Sequence, residues 1–187
     1  MITTINALTP TYSGRCSVML NDIDDFVVVR NALLMLCAFY MDPNEAADTM
    51  LHLWYSARLR PATIRLLQSK IKPAIDDVCR KIAKKYPTRS SGTIMTKTIE
   101  YEGTKLKLRL RKSHWKNLEQ ILRFDLEPEK AHLQRDNAMK SDIHLDLRHA
   151  FWLRQKSTRR VADAHFMETG ILAPFSEDVQ QYTVPNS

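Results

Sequence analysis

Cys16-Ser17-Val18-Met19-Leu20-Asn21-Asp22-Ile23-Asp24, continuing into Asp25 to Tyr40, reads as a short strand, a polar break and a helix. In the last part Phe26, Val29, Leu33, Leu36 and Tyr40 recur every three or four residues, the spacing of one buried helix face. By themselves the residues support a soluble, helix-rich, basic domain. A doubly wound fold presents an acidic residue to a ribose at such a turn, so Asp22 and Asp24 are candidate cofactor-binding residues. The plainer reading is that either carboxylate caps the helix and favours its positive end. No Gly-rich strand-turn-helix stands before them, which favours the cap.

Outward from this stretch the chain stays helical. Asp42-Pro43-Asn44-Glu45 is a helix start: Asp42 can accept from orphan amides, Pro43 suits the first turn, and Glu45 can reach back to the cap. The helix it opens should bury Ala46, Met50, Leu53, Trp54 and Ala57. Pro61 opens a third stretch with Ile64, Leu67, Ile71, Ile75, Val78 and Ile82 on one side, and Pro73 should kink or divide it. Residues 87–92 form an exposed connector. The period then changes to two. Thr93 to Tyr101 and Thr104 to Arg111 predict a hairpin around Glu102-Gly103, with Leu106, Leu108 and Leu110 alternating with cations. Ser113 is expected to cap a helix carrying Trp115, Leu118 and Leu122. Residues 126–139 read as a polar exposed helix, and the remainder as helical pieces ending at Gly170.

The net charge of +7 is unevenly placed. From Arg80 to Lys116 twelve basic residues stand against two acidic ones, Glu100 and Glu102, so this segment carries +10 and the remainder −3. Lys105, Lys107, Arg109, Arg111 and Lys112 are therefore candidates for binding nucleic acid or an acidic partner. Lysines on an edge strand also block unwanted strand pairing, and a solvated edge is the plainer reading.

Catalytic and metal signatures are scarce. Of the six histidines none has a helical zinc spacing, and Asp142, His144, Asp146 and His149 read as a solvated face. There is no Gly-x-Ser-x-Gly, Gly-x-Gly-x-x-Gly or phosphate-loop motif. No catalytic residue, metal site or cofactor is expected. Cys16, Cys37 and Cys79 form no close pair and fit a reducing compartment. The longest apolar run, Ala32 to Met41, is ten residues, too short to cross a bilayer, which needs about 20. The cytoplasm, or the nucleus, is the expected location.

Four blocks carry a resemblance. Leu20-Asn21-Asp22-Ile23-Asp24 with Val29 to Leu36, Leu51-His52-Leu53-Trp54-Tyr55-Ser56-Ala57-Arg58-Leu59, Gly170-Ile171-Leu172-Ala173-Pro174-Phe175, and Val184-Pro185-Asn186 resemble motifs of a fungal domain of unknown function often found beside MYND zinc fingers. That domain is similar to the N-terminal domain of dynein axonemal assembly factor 3. The resemblance implies a partial Rossmann-like, methyltransferase-related α/β domain, mostly helical with a short β-hairpin. It also implies a Gly-Cys-Gly-Asp-like cofactor loop, which this sequence lacks, so the N-terminal part of the domain is expected to be missing. The expected layout is a poorly structured segment 1–15, a truncated domain 16–176 with a helical extension, and an extended tail 177–187. The expected function is a non-catalytic, protein-interaction or assembly role with a protein partner and no membrane. The alternatives are a nucleic-acid-binding module using the basic hairpin and a degenerate S-adenosylmethionine-dependent methyltransferase-like domain.

Overall fold

Asp24 and Asp42 open the first two helices by accepting from backbone amides ahead of them, Asp24 from Phe26 at 2.7 Å and Asp42 from Asn44 and Glu45 at 3.0 and 3.2 Å. In this computed structural model, residues 22–125, 152–174 and 176–186 are described, together with 11, 12, 127, 129, 130, 133 and 150. The expected strand at Cys16–Leu20 and the Asp142–His149 cluster lie outside the described residues, as does most of the expected helix at 126–139.

Helix α1 is Asp25–Tyr40 and α2 is Pro43–Tyr55. A two-residue strand β1 (Arg58–Leu59) leads into α3 (Pro61–Lys70) and α4 (Lys72–Lys85). Pro73 divides the third stretch as its chemistry requires. Ile71 ends α3 and begins α4, its carbonyl accepting from Ala74 and Ile75 at 3.1 and 3.2 Å. Strands β2 (Ile94–Tyr101) and β3 (Thr104–Arg111) form the hairpin, and α5 (Lys112–Ile121) follows β3 without a loop. Glu102 and Gly103 both take positive φ, 46° and 79°, the two-residue turn whose twist suits a hairpin. Ser113 lies inside α5 and does not cap it. Because the strand runs straight into the helix, the carbonyls of Thr93 and Ser91 accept from Lys112 and Ser113 at 2.8 and 2.9 Å.

One apolar core joins these elements. Val29, Leu33 and Leu36 of α1, Leu67 of α3, Ile75 of α4 and Trp115 and Leu118 of α5 are all buried, with Met95, Ile99, Leu108 and Leu110 closing it from the hairpin. The α1 face is as expected except at Phe26, which is 66% exposed in the first turn. On α2 the face is rotated: Ala46, Thr49, His52 and Leu53 are buried, whereas Trp54 is exposed.

After α6 (Ser157–Thr169), which buries none of its own residues, Gly170 adopts φ 71° and stops the helix. The C-terminal segment is a correction. Expected as an extended tail, it holds a 3-10 turn (Val179–Gln181) and strand β4 (Val184–Pro185), which pairs antiparallel with β1. Tyr182 beside it is 1% exposed. Among the described residues the chain is thus mostly helical with two small sheets, both two-stranded and antiparallel. Among the described residues no helix is long and apolar enough to cross a membrane.

Candidate functional site

The hairpin presents one wet face. Register places Glu100 opposite Lys105, Thr98 opposite Lys107, Thr96 opposite Arg109 and Ile94 opposite Arg111, all exposed. Two of these cations have carboxylates nearby. Lys105 lies 3.0 Å from Glu100, and Arg111 lies 3.5 Å from Asp25. Lys107 and Arg109 have no acidic partner among the described residues, and their Cα atoms are separated by about 6.6 Å, a two-residue step along a strand. Lys112 does not belong to this face. Its ammonium donates to the carbonyls of Tyr86, Pro87 and Arg89 at 2.9, 3.2 and 2.9 Å, pinning the connector before β2. The five expected cations therefore divide into two unpaired, two paired and one structural.

Beside Lys112 lies a groove of about 420 Å³ between α4 and α5. Cys79, Ile82 and Ala83 form one wall, Trp115, Lys116 and Glu119 the other, with Arg89 and Ser91 at the end. Cys79 bridges the walls by donating to the Trp115 carbonyl at 3.2 Å. Burial pushes its thiol up to about 12, so it is not a reactive thiolate.

Asp22 and Asp24 are both exposed. Asp24 caps α1, and Asp22 accepts from the Asp24 amide at 3.0 Å. Both carboxylates thus serve the local turn. Next to them the His114 imidazole, its Nε2 3.0 Å from Asp25 Oδ1, holds the Asp25 carboxyl below its ordinary range, with Arg111 adding to the effect.

The densest polar cluster among the described residues was not expected from the sequence. Asp48, His52 and Ser56 stand four residues apart on and just beyond α2. Ser56 Oγ lies 2.9 Å from His52 Nδ1, and Asp48 Oδ1 lies 3.5 Å from His52 Nε2. Tyr182 Oη lies 3.2 Å from the same Nε2 and donates to Glu177 at 3.0 Å. Arg60 binds Glu177 at 3.0 Å, also binds Asp48, and lies over the Tyr182 ring at 5.4 Å. One proton arrangement satisfies the centre: Ser56 donates to Nδ1 while accepting from the Leu172 amide at 3.1 Å, and Nε2–H faces Tyr182. Burial lowers the His52 pKa, which favours that neutral imidazole.

Ser, His and Asp within such reach resemble a hydrolytic triad in composition. Ser56, however, is 3% exposed, and its hydroxyl is engaged by both His52 and Leu172, so no attacked atom can approach it. The cluster acts as a clamp. Asn186 completes it, its amide donating to the carbonyls of His52, Leu53 and Ser56 at 3.3, 3.0 and 2.7 Å. Three of the four quoted sequence blocks, 51–59, 170–175 and 184–186, therefore meet at one place. The i, i+4 spacing of Asp48, His52 and Ser56 was the readable signal. Outside the clamp, Leu51, Trp54 and Tyr55 of α2 are exposed.

A family model described as a domain of unknown function (DUF4470) matches residues 1–59. The match includes the segment before Cys16 and the first two quoted blocks, and it stops before the two C-terminal ones. No curated protein matches this chain, and no solved structure does. Among the described residues no group of three or more His, Cys, Asp or Glu could hold a metal ion.

Proposed function

We propose that this chain is a protein-interaction domain of assembly type, with no reaction of its own. One observation carries the reading: the cluster combining a nucleophile, a base and an acid is closed and used as a clamp, while Leu51, Trp54 and Tyr55 on the same helix face solvent. Large apolar and aromatic side chains grouped on an exposed helix face are the usual material of a protein contact. In this reading the chain is a relative of a Rossmann-like, methyltransferase-related domain that uses its helices as a scaffold and does not bind S-adenosylmethionine. The resemblance to the fungal MYND-associated domain, itself similar to the N-terminal domain of dynein axonemal assembly factor 3, supports assembly over catalysis. The cytoplasm or nucleus is its proposed location.

A photo-crosslinking residue in place of Tyr55 tests this. Discrete protein adducts that weaken when Leu51→Asp is added are the expected result. The absence of adducts, or micromolar S-adenosylmethionine binding in calorimetry, would overturn it.

A second reading, nucleic-acid binding, is favoured by one observation: the unpaired neighbours Lys107 and Arg109 on a wet strand face, which could follow a phosphate backbone.

A further inference from the structure

The groove between α4 and α5 shares no residue with the Leu51–Trp54–Tyr55 face and carries a different chemistry. Its inner surface is apolar, made by Cys79, Ala83 and the edges of Ile82 and Trp115. The Cys79 thiol and the Trp115 carbonyl satisfy each other, so the floor offers no polar group in need of a partner. Its rim is cationic. Arg89, Lys112 and Lys116 line it against a single carboxylate, Glu119. Arg89 and Lys116 have no acidic partner among the described residues, whereas Glu119 is engaged at 3.9 Å by Arg123. Lys112 fixes the Arg89 end by holding three connector carbonyls, so the rim is built in place before any ligand arrives.

We propose that this groove binds an acidic peptide segment of a partner protein, one large apolar side chain seated on the floor that Cys79, Ala83 and Ile82 form and its carboxylates against Arg89 and Lys116. The proposal deepens the protein-interaction reading by naming a partner chemistry, and it rests on that reading. Charge selects the occupant. An apolar floor alone would accept any hydrophobic side chain, but an unpaired guanidinium and ammonium at its edge favour carboxylates and disfavour a basic segment. Nucleic acid would satisfy the rim and leave the floor uncovered, since the groove has no exposed aromatic face on which a base could stack.

Selection of a random 12-residue peptide library, displayed on phage, against the whole chain tests this. Recovered peptides should combine Asp and Glu with one Leu, Phe or Trp. A synthetic, fluorescein-labelled version of the best one should lose affinity about tenfold on Arg89→Glu with Lys116→Glu. Ala83→Trp, which fills the groove from an exposed position, should abolish binding while leaving the thermal unfolding midpoint in place. Peptides without acidic bias, equal binding to the Ala83→Trp chain, or no enrichment at all would each overturn the proposal. So would competition by a 20-nucleotide single strand that depends on Lys107 and Arg109. If Tyr55-dependent adducts persist while the peptides fail, only the groove assignment falls. If both fail, the interaction reading falls with it.

Discussion

The Tyr182 hydroxyl lies 3.2 Å from Nε2 of His52, a contact between residues 130 positions apart. It closes the chain's C-terminal segment onto α2 and places an aromatic ring over a buried imidazole, their centroids 5.0 Å apart. Tyr182→Phe keeps the ring and removes the hydroxyl, leaving His52 and Glu177 each short of a partner. The expected loss of stability in urea unfolding is about 1–3 kcal/mol, the cost of a buried polar group left unsatisfied. A variant as stable as the parent would remove the hydroxyl from the clamp.

Stability should fall in mildly acidic solution through His52. Burial depresses its pKa in the folded state below the ordinary 6.5, with Asp48 and Glu177 opposing the shift and Arg60 adding to it. The unfolded chain then binds the proton more readily. The contribution is present above pH 6.5 and disappears as the pH falls through the depressed folded value. The shifted carboxylates Asp25, Asp42 and Asp77 have lowered values and titrate further down. Urea midpoints measured between pH 7 and 5 should slope downward, and His52→Gln should flatten that slope. A parallel slope in the variant would assign it elsewhere.

Asn186 serves as the C-terminal cap of α2 from the far end of the chain. Its side-chain amide donates to the carbonyls of Leu53 and Ser56 and shares that of His52 with the Ser56 amide, and its own N–H donates to the Ala57 carbonyl at 2.9 Å. Asn186→Ala should cost about 1–2 kcal/mol and speed amide exchange in Ser56 to Leu59. Unchanged exchange there would show that β1 and β4 hold without it.

The hairpin cations should separate cleanly when mutated. Lys112→Met strips three carbonyls of their donor and should destabilise the fold by about 1.5–3 kcal/mol. Lys107→Ser with Arg109→Ser should stay within about 0.5 kcal/mol of the parent, as exposed substitutions do. If the nucleic-acid reading holds, filter binding of a single strand should weaken steeply with salt, and this double variant should reduce the slope by about 1.4, near 0.7 per lost contact. A signal that ignores salt would end that reading.

Much of this architecture was legible because periodicity reports burial. The α1 face, the Asp42-Pro43 start, the division at Pro73 and the Glu102-Gly103 turn all follow from local rules. Phe26 escaped because a first turn can project beyond its neighbours. The α2 face was misread for a different reason. Thr49 and His52 are polar, so a hydropathy pattern rejects them, yet partners near residue 180 satisfy His52 at burial. Lys112 falls on the parity of Leu106, Leu108 and Leu110, not on that of the cations, and sits at the junction of β3 with a helix, where the backbone changes direction. Local spacing cannot reveal either long-range pairing or that change of course.

The junction itself has a mechanical meaning. Arg111 ends β3 and Lys112 begins α5, with no residue between them to act as a hinge. Tilting the hairpin away from the helix that carries Trp115 and Lys116 would break the bonds from the Lys112 and Ser113 amides to the Thr93 and Ser91 carbonyls. The wet strand face and the groove wall therefore stand on one continuous, pinned run of backbone.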